Sequence, residues 1–121
     1  MNTFDIVIEE DRRAFVPGEI LRGRAIWMLE KPAAYLDLSL FWQTTGYGTQ
    51  DMAVTESMRF ERPGLEEERE FALTLPEGPY SFRGKLITIG WYLELTDTEG
   101  KDACQKDIIL SPTGQEIVHP A

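Results

Sequence analysis

The chain has almost no cysteine or histidine. Its 121 residues include one cysteine, Cys104, and one histidine, His119. A single thiol cannot form an internal disulfide, and zinc sites are built from clusters of Cys and His, so neither feature is expected. Cys104 is therefore expected to be a structural thiol, and His119 lies near the end, where no neighbour would orient a catalytic base. We expect no metal and no cofactor.

Positive charge and long apolar runs are also scarce. Twelve Lys and Arg oppose 21 Asp and Glu, which gives a formal net charge of −9 at pH 7. Nucleic acids repel such a chain, so they are not expected partners. No apolar run approaches the roughly 18 residues of a membrane-spanning helix, and the opening MNTFDIVIEE lacks the pattern of a secretion signal. We expect a cytoplasmic protein without integral membrane association.

What the sequence does have is an apolar residue at every second position in seven segments. Successive side chains of a strand point to opposite faces, so this alternation predicts strands with one buried face and one wet face. Turn residues separate the segments, and the length suits one domain. We predict a single all-β domain over residues 1–121, an antiparallel immunoglobulin-like β-sandwich of seven or eight strands. The residues predicted to face the core are Phe4, Ile6, Ile8, Leu21, Ala25, Trp27, Leu29, Leu36, Leu38, Leu40, Trp42, Met52, Val54, Met58, Phe60, Phe71, Leu73, Leu75, Ile87, Ile89, Trp91, Leu93, Leu95, Ile108 and Leu110.

Two links between the predicted strands contain informative turn residues. In FVPGEI, Pro17 presets φ, and Gly18 supplies the positive φ needed at the third position of a type II turn. In LPEGPYSFRGKL, Pro76 and Pro79 lack N–H groups and can end a strand ladder, while Gly84 permits a close backbone passage. The second link is therefore predicted to cross between sheets and not to perform chemistry.

Taken in this order, the two links resemble the N-terminal domain of the arrestin family. FVPGEILRGRA is similar to the family's Y-x-P-G-E-x-V-x-G-x-V hairpin, and LPEGPYSFRG is similar to its Leu-Pro turn and P-S-F/Y-x-G crossing. The resemblance runs from about Phe15 to Leu95. It implies a protein-interaction module of a class that also includes retromer subunits and bacterial sporulation-control proteins. Arrestins carry two such sandwiches and this chain has length for one, from which we expect a homodimer.

Apolar residues also occur at positions predicted to face solvent. Ile26 and Met28 flank Trp27, so their side chains are predicted to point to the face opposite that tryptophan. Phe41, next to Trp42, and Tyr92, next to Trp91, are predicted to point outward in the same way. Exposed apolar and aromatic side chains that lie together typically mark an interaction surface. The alternative is that a loop, the C-terminal segment or a wider core covers them. We expect a protein partner to bind at these four residues.

Arg12 and Arg13 are the second candidate for partner contact. They lie, with Arg22 and Arg24, on the first predicted hairpin, where four arginines would form a positive spot. Such arginines more often pair with the glutamates of the same surface. Phosphate-sensing arrestins use basic residues in and after their first strand, but the acidic neighbours in IEEDRRAF argue against that role here.

Two other functions stay open as alternatives to a non-catalytic adaptor. A carboxylate-dependent hydrolase needs two carboxyl groups facing each other across a cleft. The acidic clusters of this sequence are instead expected to be solvated runs beside turns, and they consist of Glu9, Glu10 and Asp11, and of Glu66, Glu67, Glu68 and Glu70. A carbohydrate-binding sandwich needs an exposed aromatic platform, whereas Trp27, Trp42 and Trp91 all have core parity. The sequence contains no GxSxG, HExxH or phosphate-loop motif.

Overall fold

The computed structural model describes residues 2–46, 50–97 and 102–115, and the backbone of residues 117–118. Within these ranges the chain forms ten β-strands and one short 3-10 turn at Glu9–Asp11. The strands are β1 (Thr3–Ile8), β2 (Ala14–Phe15), β3 (Ile20–Met28), β4 (Tyr35–Gly46), β5 (Met52–Glu61), β6 (Glu66–Thr74), β7 (Phe82–Arg83), β8 (Ile87–Asp97), β9 (Ala103–Leu110) and β10 (Ile117–Val118).

The strands form two sheets. The first sheet has the order β1-β3-β6, and both of its pairings are antiparallel. The second sheet has the order β10-β7-β8-β4-β5, with β9 also paired to β8 and β2 paired to β9. The alternating apolar faces of the two sheets enclose one core. The predicted all-β sandwich is confirmed.

Two buried tryptophans are part of the core. Trp27 is 2% exposed and Trp91 is fully buried. Each indole N–H donates to a backbone carbonyl outside the sheets, that of Gly64 at 2.9 Å and that of Pro79 at 2.6 Å respectively. A buried indole therefore keeps its hydrogen bond, which removes the main cost of burying it. The core parity predicted for both tryptophans is confirmed, and Trp42 is half-buried against the same cluster.

The two links form the turn and the crossing predicted for them. Gly18 has φ +81°, and the N–H of Glu19 donates to the carbonyl of Val16 at 3.2 Å, as a type II turn requires. The second link leaves the first sheet after β6 and enters the second sheet at β7. Gly84 permits the close passage, because a Cβ there would lie 2.5 Å from the ring of Phe82.

A β-bulge reverses which side chains of β5 face the core. Leu40 lies opposite Glu56, but the next residue of β4 lies opposite Val54, which leaves Thr55 as the extra residue. Beyond this point Met52 and Val54 are 62% and 52% exposed. The prediction that these two residues face the core was wrong, because the bulge shifts the register by one and a one-residue shift moves side chains to the other face.

Two features of the sequence lie outside the described residues. One is His119, and the other is the Glu99–Gly100 pair in TDTEGKDA, which predicts a turn that folds the chain back as a hairpin. Within the part of the chain that is described, no helix has the length and apolar content to cross a bilayer.

Candidate interaction surfaces

The structure separates the six residues predicted to contact a partner into three places. One pair lies on the outer face of the first sheet, and a second pair lies on the outer face of the second sheet, across the core. The third pair lies between β1 and β2. A single patch that includes all of them does not exist. The three pairs are Ile26 and Met28, Phe41 and Tyr92, and Arg12 and Arg13.

The outer face of the first sheet has a groove with an apolar floor and acidic sides. Ile26, half-buried, and Met28, 53% exposed, form the floor on the central strand β3. Asp5 on β1 and Glu68 on β6 lie directly opposite Ile26 on either side. Glu66 lies opposite Met28 in the same way, and the concavity measures about 410 Å³. We call these five residues the acidic–apolar groove.

The carboxylates of this groove are only partly neutralised. Arg24 donates to Glu68, but both side chains of this pair are nearly half exposed, so the pair is weak. Asp5 accepts a hydrogen bond from the N–H of Ile6 at 2.9 Å. Within the described ranges, neither Asp5 nor Glu66 has an ion pair with a basic side chain. The apolar floor therefore lies in a negative field.

Glu67, at the end of the groove, has a structural role. Its carboxylate accepts hydrogen bonds from the N–H of Gly64 at 2.8 Å and from Arg69 at 2.9 Å. The Gly64 N–H, followed by the Arg69 guanidinium, holds the pKa of Glu67 below its usual value. The same guanidinium lies 5.7 Å from the centre of the Trp27 ring. Glu67 thus fixes the turn that precedes β6 above the core tryptophan.

The outer face of the second sheet has an apolar ridge beside an edge strand. Phe41 lies opposite Tyr92 on β8 and opposite Val54 on β5. The bulge places Met52 and Val54 on this same face. Among the described strands, β5 pairs only with β4, so its other backbone edge is open to a partner strand. We call Phe41, Met52, Val54 and Tyr92 the apolar ridge.

The predicted exposure of Phe41 was wrong. Its side chain points away from the core but is only 5% exposed. The rings of Phe41 and Tyr92 lie 5.5 Å apart on adjacent strands, so each covers the other, and Tyr92 is half-buried as a result. The exposed part of the ridge therefore consists mainly of Met52 and Val54, which the alternation of the sequence predicts to face the core.

Arg12 is held within the turn that follows it. Its guanidinium donates to both carboxylate oxygens of Glu19 and to the carbonyl of Ala14, and it lies 4.5 Å from the centre of the Phe15 ring. Glu19 also accepts from the N–H of Val16 at 3.1 Å. The hydrogen bond from Arg12 is the main reason that the pKa of Glu19 lies below its usual value, and the pKa of Arg12 is raised in return.

The other arginines of the predicted basic spot also meet carboxylates. Arg13 donates to Asp107 on β9 at 2.9 Å, and Arg24 pairs with Glu68. The interpretation that these side chains pair with acidic neighbours is confirmed for Arg12, Arg13 and Arg24. Contact of Arg12 and Arg13 with a partner stays a prediction.

The shifted pKa values do not favour catalysis. Glu19 and Glu67 both have a lowered pKa, whereas a general acid needs a carboxyl whose pKa is raised. Burial raises the pKa of the Cys104 thiol, and a reactive cysteine needs a lowered one. In the described ranges no group of three or more metal-ligating side chains comes together.

Comparison with known proteins supports the arrestin-like fold. The chain is similar to the crystal structure of Spo0M, a sporulation control protein from Bacillus subtilis, with a TM-score of 0.66 and 22% sequence identity. The similarity covers 91% of this chain and 49% of the Spo0M chain, so this chain spans about half the length of that protein. No family model and no curated protein sequence matches the chain.

Proposed function

We propose that this arrestin-like sandwich is a non-catalytic protein-interaction module, an adaptor that binds a protein partner at the apolar ridge and the open edge of β5. The observation that carries the proposal is the exposure of Met52 and Val54, at 62% and 52%, beside Phe41 and Tyr92. Exposed apolar side chains that lie together typically mark an interaction site. The open edge adds backbone donors and acceptors that a partner strand can pair with.

A regulatory role agrees with two further observations. Spo0M, a structural neighbour, is described as a sporulation control protein. The shifted carboxylates, Glu19 and Glu67, serve turns and have pKa values that suit neither a general acid nor a general base. We place the module in the cytoplasm, on the basis of its net charge of −9 and its single cysteine.

Carbohydrate binding has weaker support. Sugar sites use aromatic rings laid flat at the surface. Trp27 and Trp91 are buried and donate to backbone carbonyls, and Trp42 is half-buried against the core. None of these three indoles offers an open face of that kind.

Paired variants test the proposal. Met52→Glu with Val54→Glu places two charges on the ridge, whereas Ile20→Glu places one at a residue that is 44% exposed on the first sheet. Affinity capture from the native cell should recover a partner with the wild-type protein and with Ile20→Glu, and at least tenfold less of it with the ridge variant. Equal recovery by all three proteins would refute the proposal.

Sedimentation equilibrium then identifies the occupant of the ridge. The homodimer expected from the resemblance would appear as a dimer at micromolar concentration that the ridge variant converts to a monomer. A wild-type monomer that still captures a cellular protein assigns the ridge to a different chain, and it removes the homodimer from the proposal.

A further inference from the structure

The dimensions of the acidic–apolar groove fit a segment of chain laid along the first sheet. Ile26 and Met28 are two residues apart on one strand, so their Cα atoms lie roughly 6.7 Å apart. The acidic residues stand on the two neighbouring strands, so the acidic rows are about 9.6 Å apart. An α-helix rises about 6 Å over four residues and is about 10 Å wide with its side chains. Two apolar side chains four residues apart on a helix therefore match the floor, and the side chains flanking them reach the acidic rows.

Charge determines what sort of segment binds there. Asp5, Glu66 and Glu68 border the floor, and Arg24 is the basic side chain that pairs with one of them. An incoming segment with Lys or Arg beside its apolar residues would neutralise this excess. An acidic segment would add to it, and a neutral one would leave the carboxylates without a counter-charge.

The same charges argue against other occupants. A second copy of this face would bring carboxylates against carboxylates, in chains that each have a net charge of −9. Anionic lipid surfaces and nucleic acids are repelled for the same reason. A metal ion needs ligands that converge, whereas Ile26 and Met28 separate Asp5 from the two glutamates.

We propose that the acidic–apolar groove binds a basic amphipathic segment of a protein partner, with two apolar side chains four residues apart on Ile26 and Met28 and with Lys or Arg beside Asp5, Glu66 and Glu68. This inference rests on the proposed function only in taking the partner to be a protein. The groove and the apolar ridge lie on different sheets, so each is tested separately.

The test uses a fluorescently labelled synthetic helical peptide that has leucines four residues apart and lysines on both flanks. Fluorescence anisotropy should show saturable binding to the wild-type chain that weakens as salt is raised, because exposed charges are screened. A peptide of the same composition in scrambled order should bind at least tenfold more weakly. Equal binding of the two peptides, or no binding of either, would overturn the proposal.

Matched variants locate the binding site. Asp5→Asn with Glu66→Gln removes two charges from the groove, and Glu77→Gln with Glu94→Gln removes two from elsewhere. The groove variant should bind the peptide at least tenfold more weakly than the control variant. Equal weakening in both would show attraction by net charge alone and would contradict the assignment.

A third pair separates this inference from the proposed function. Met28→Gln should weaken peptide binding about tenfold, because it removes part of the apolar floor, whereas Met52→Glu with Val54→Glu on the ridge should leave it within twofold. If Met28→Gln bound the peptide as tightly as the wild type, the floor would have no part in recognition and the proposal would be wrong.

Discussion

Ser81 and Leu110 exchange two hydrogen bonds. The N–H of Ser81 donates to the carbonyl of Leu110 at 2.7 Å, and the N–H of Leu110 donates to Oγ of Ser81 at 2.9 Å. Both residues are buried, Ser81 at 1% and Leu110 at 0% exposure. These bonds tie the link that crosses between the sheets to the last residue of β9, so the crossing is held by the second sheet as well as by its own turn residues.

We expect Ser81→Ala to lower the free energy of unfolding by about 1–3 kcal/mol, because it leaves the N–H of Leu110 buried without its acceptor. Urea denaturation measures the change. Ser111→Ala is the matched control, since Oγ of Ser111 is buried and has no hydrogen-bond partner among the described residues. That variant should be as stable as the wild type or more stable. Equal losses in the two variants would contradict the role given to Ser81.

Phe41→Asp should lower the stability of the fold, because the residue is buried and does not form part of an exposed surface. Phe41 is 5% exposed, so the variant loses a packed ring and buries a carboxylate, which together cost about 3 kcal/mol or more. Val54→Glu on the same face should change stability by no more than about 1 kcal/mol, because Val54 is 52% exposed. Thermal unfolding followed by circular dichroism distinguishes the two. A Phe41→Asp protein that melts with the wild type would show that the ring is not buried.

The Arg12–Glu19 pair should make stability depend on pH in the acid range. The folded pKa of Glu19 lies below its ordinary value of 4.5, so its contribution is fully present above about that pH and is lost as pH falls through the folded pKa. The wild type should exceed Glu19→Gln by less than about 1 kcal/mol at pH 7, since both side chains are partly exposed. The difference should shrink towards zero below pH 4.

Urea midpoints measured between pH 3 and pH 7 test this expectation. Glu77→Gln is the control, because it removes one carboxylate from the link between β6 and β7 and leaves the Arg12–Glu19 pair intact. The difference in stability between this variant and the wild type should not shrink in the same way as pH falls. A wild-type advantage over Glu19→Gln that grows as pH falls would have the wrong sign for a lowered pKa.

Gly23→Ala should destabilise the first sheet. A Cβ at this position would lie 2.3 Å from the carbonyl oxygen of Val7 and 2.8 Å from the ring of Phe71, so β1 or the ring has to move. We expect a loss of about 1–3 kcal/mol in urea denaturation. Gly64→Ala is the control, because the nearest atom would be 3.5 Å away in the flexible side chain of Glu67. A tolerated Gly23→Ala would show that this contact is not tight.

The sequence predicts much of the inward face of the sandwich. Alternation identifies Leu36, Leu38 and Leu40, all of which are fully buried. The Pro17–Gly18 turn is equally readable, because its geometry depends on two adjacent residues and on nothing distant. Both features are local, so they can be predicted without knowledge of the strand order.

Features that depend on strand pairing cannot be predicted from the alternation of the sequence. Met52 and Val54 have the same parity as Phe60, and the bulge between them carries no glycine or proline to reveal it. The acidic–apolar groove exists because β6 pairs with β3 across some forty residues of intervening chain, which places Glu66 beside Met28. Alternation within one segment contains no information on which segment becomes its neighbour.

The extra residue at Thr55 is not what keeps these side chains at the surface. Removing Thr55 would leave Val54 opposite Phe41 and Met52 opposite Gln43, so both apolar side chains would still point outward while the ladder between β4 and β5 became regular. The loss of a single codon would thus straighten this edge strand without changing which side chains it displays.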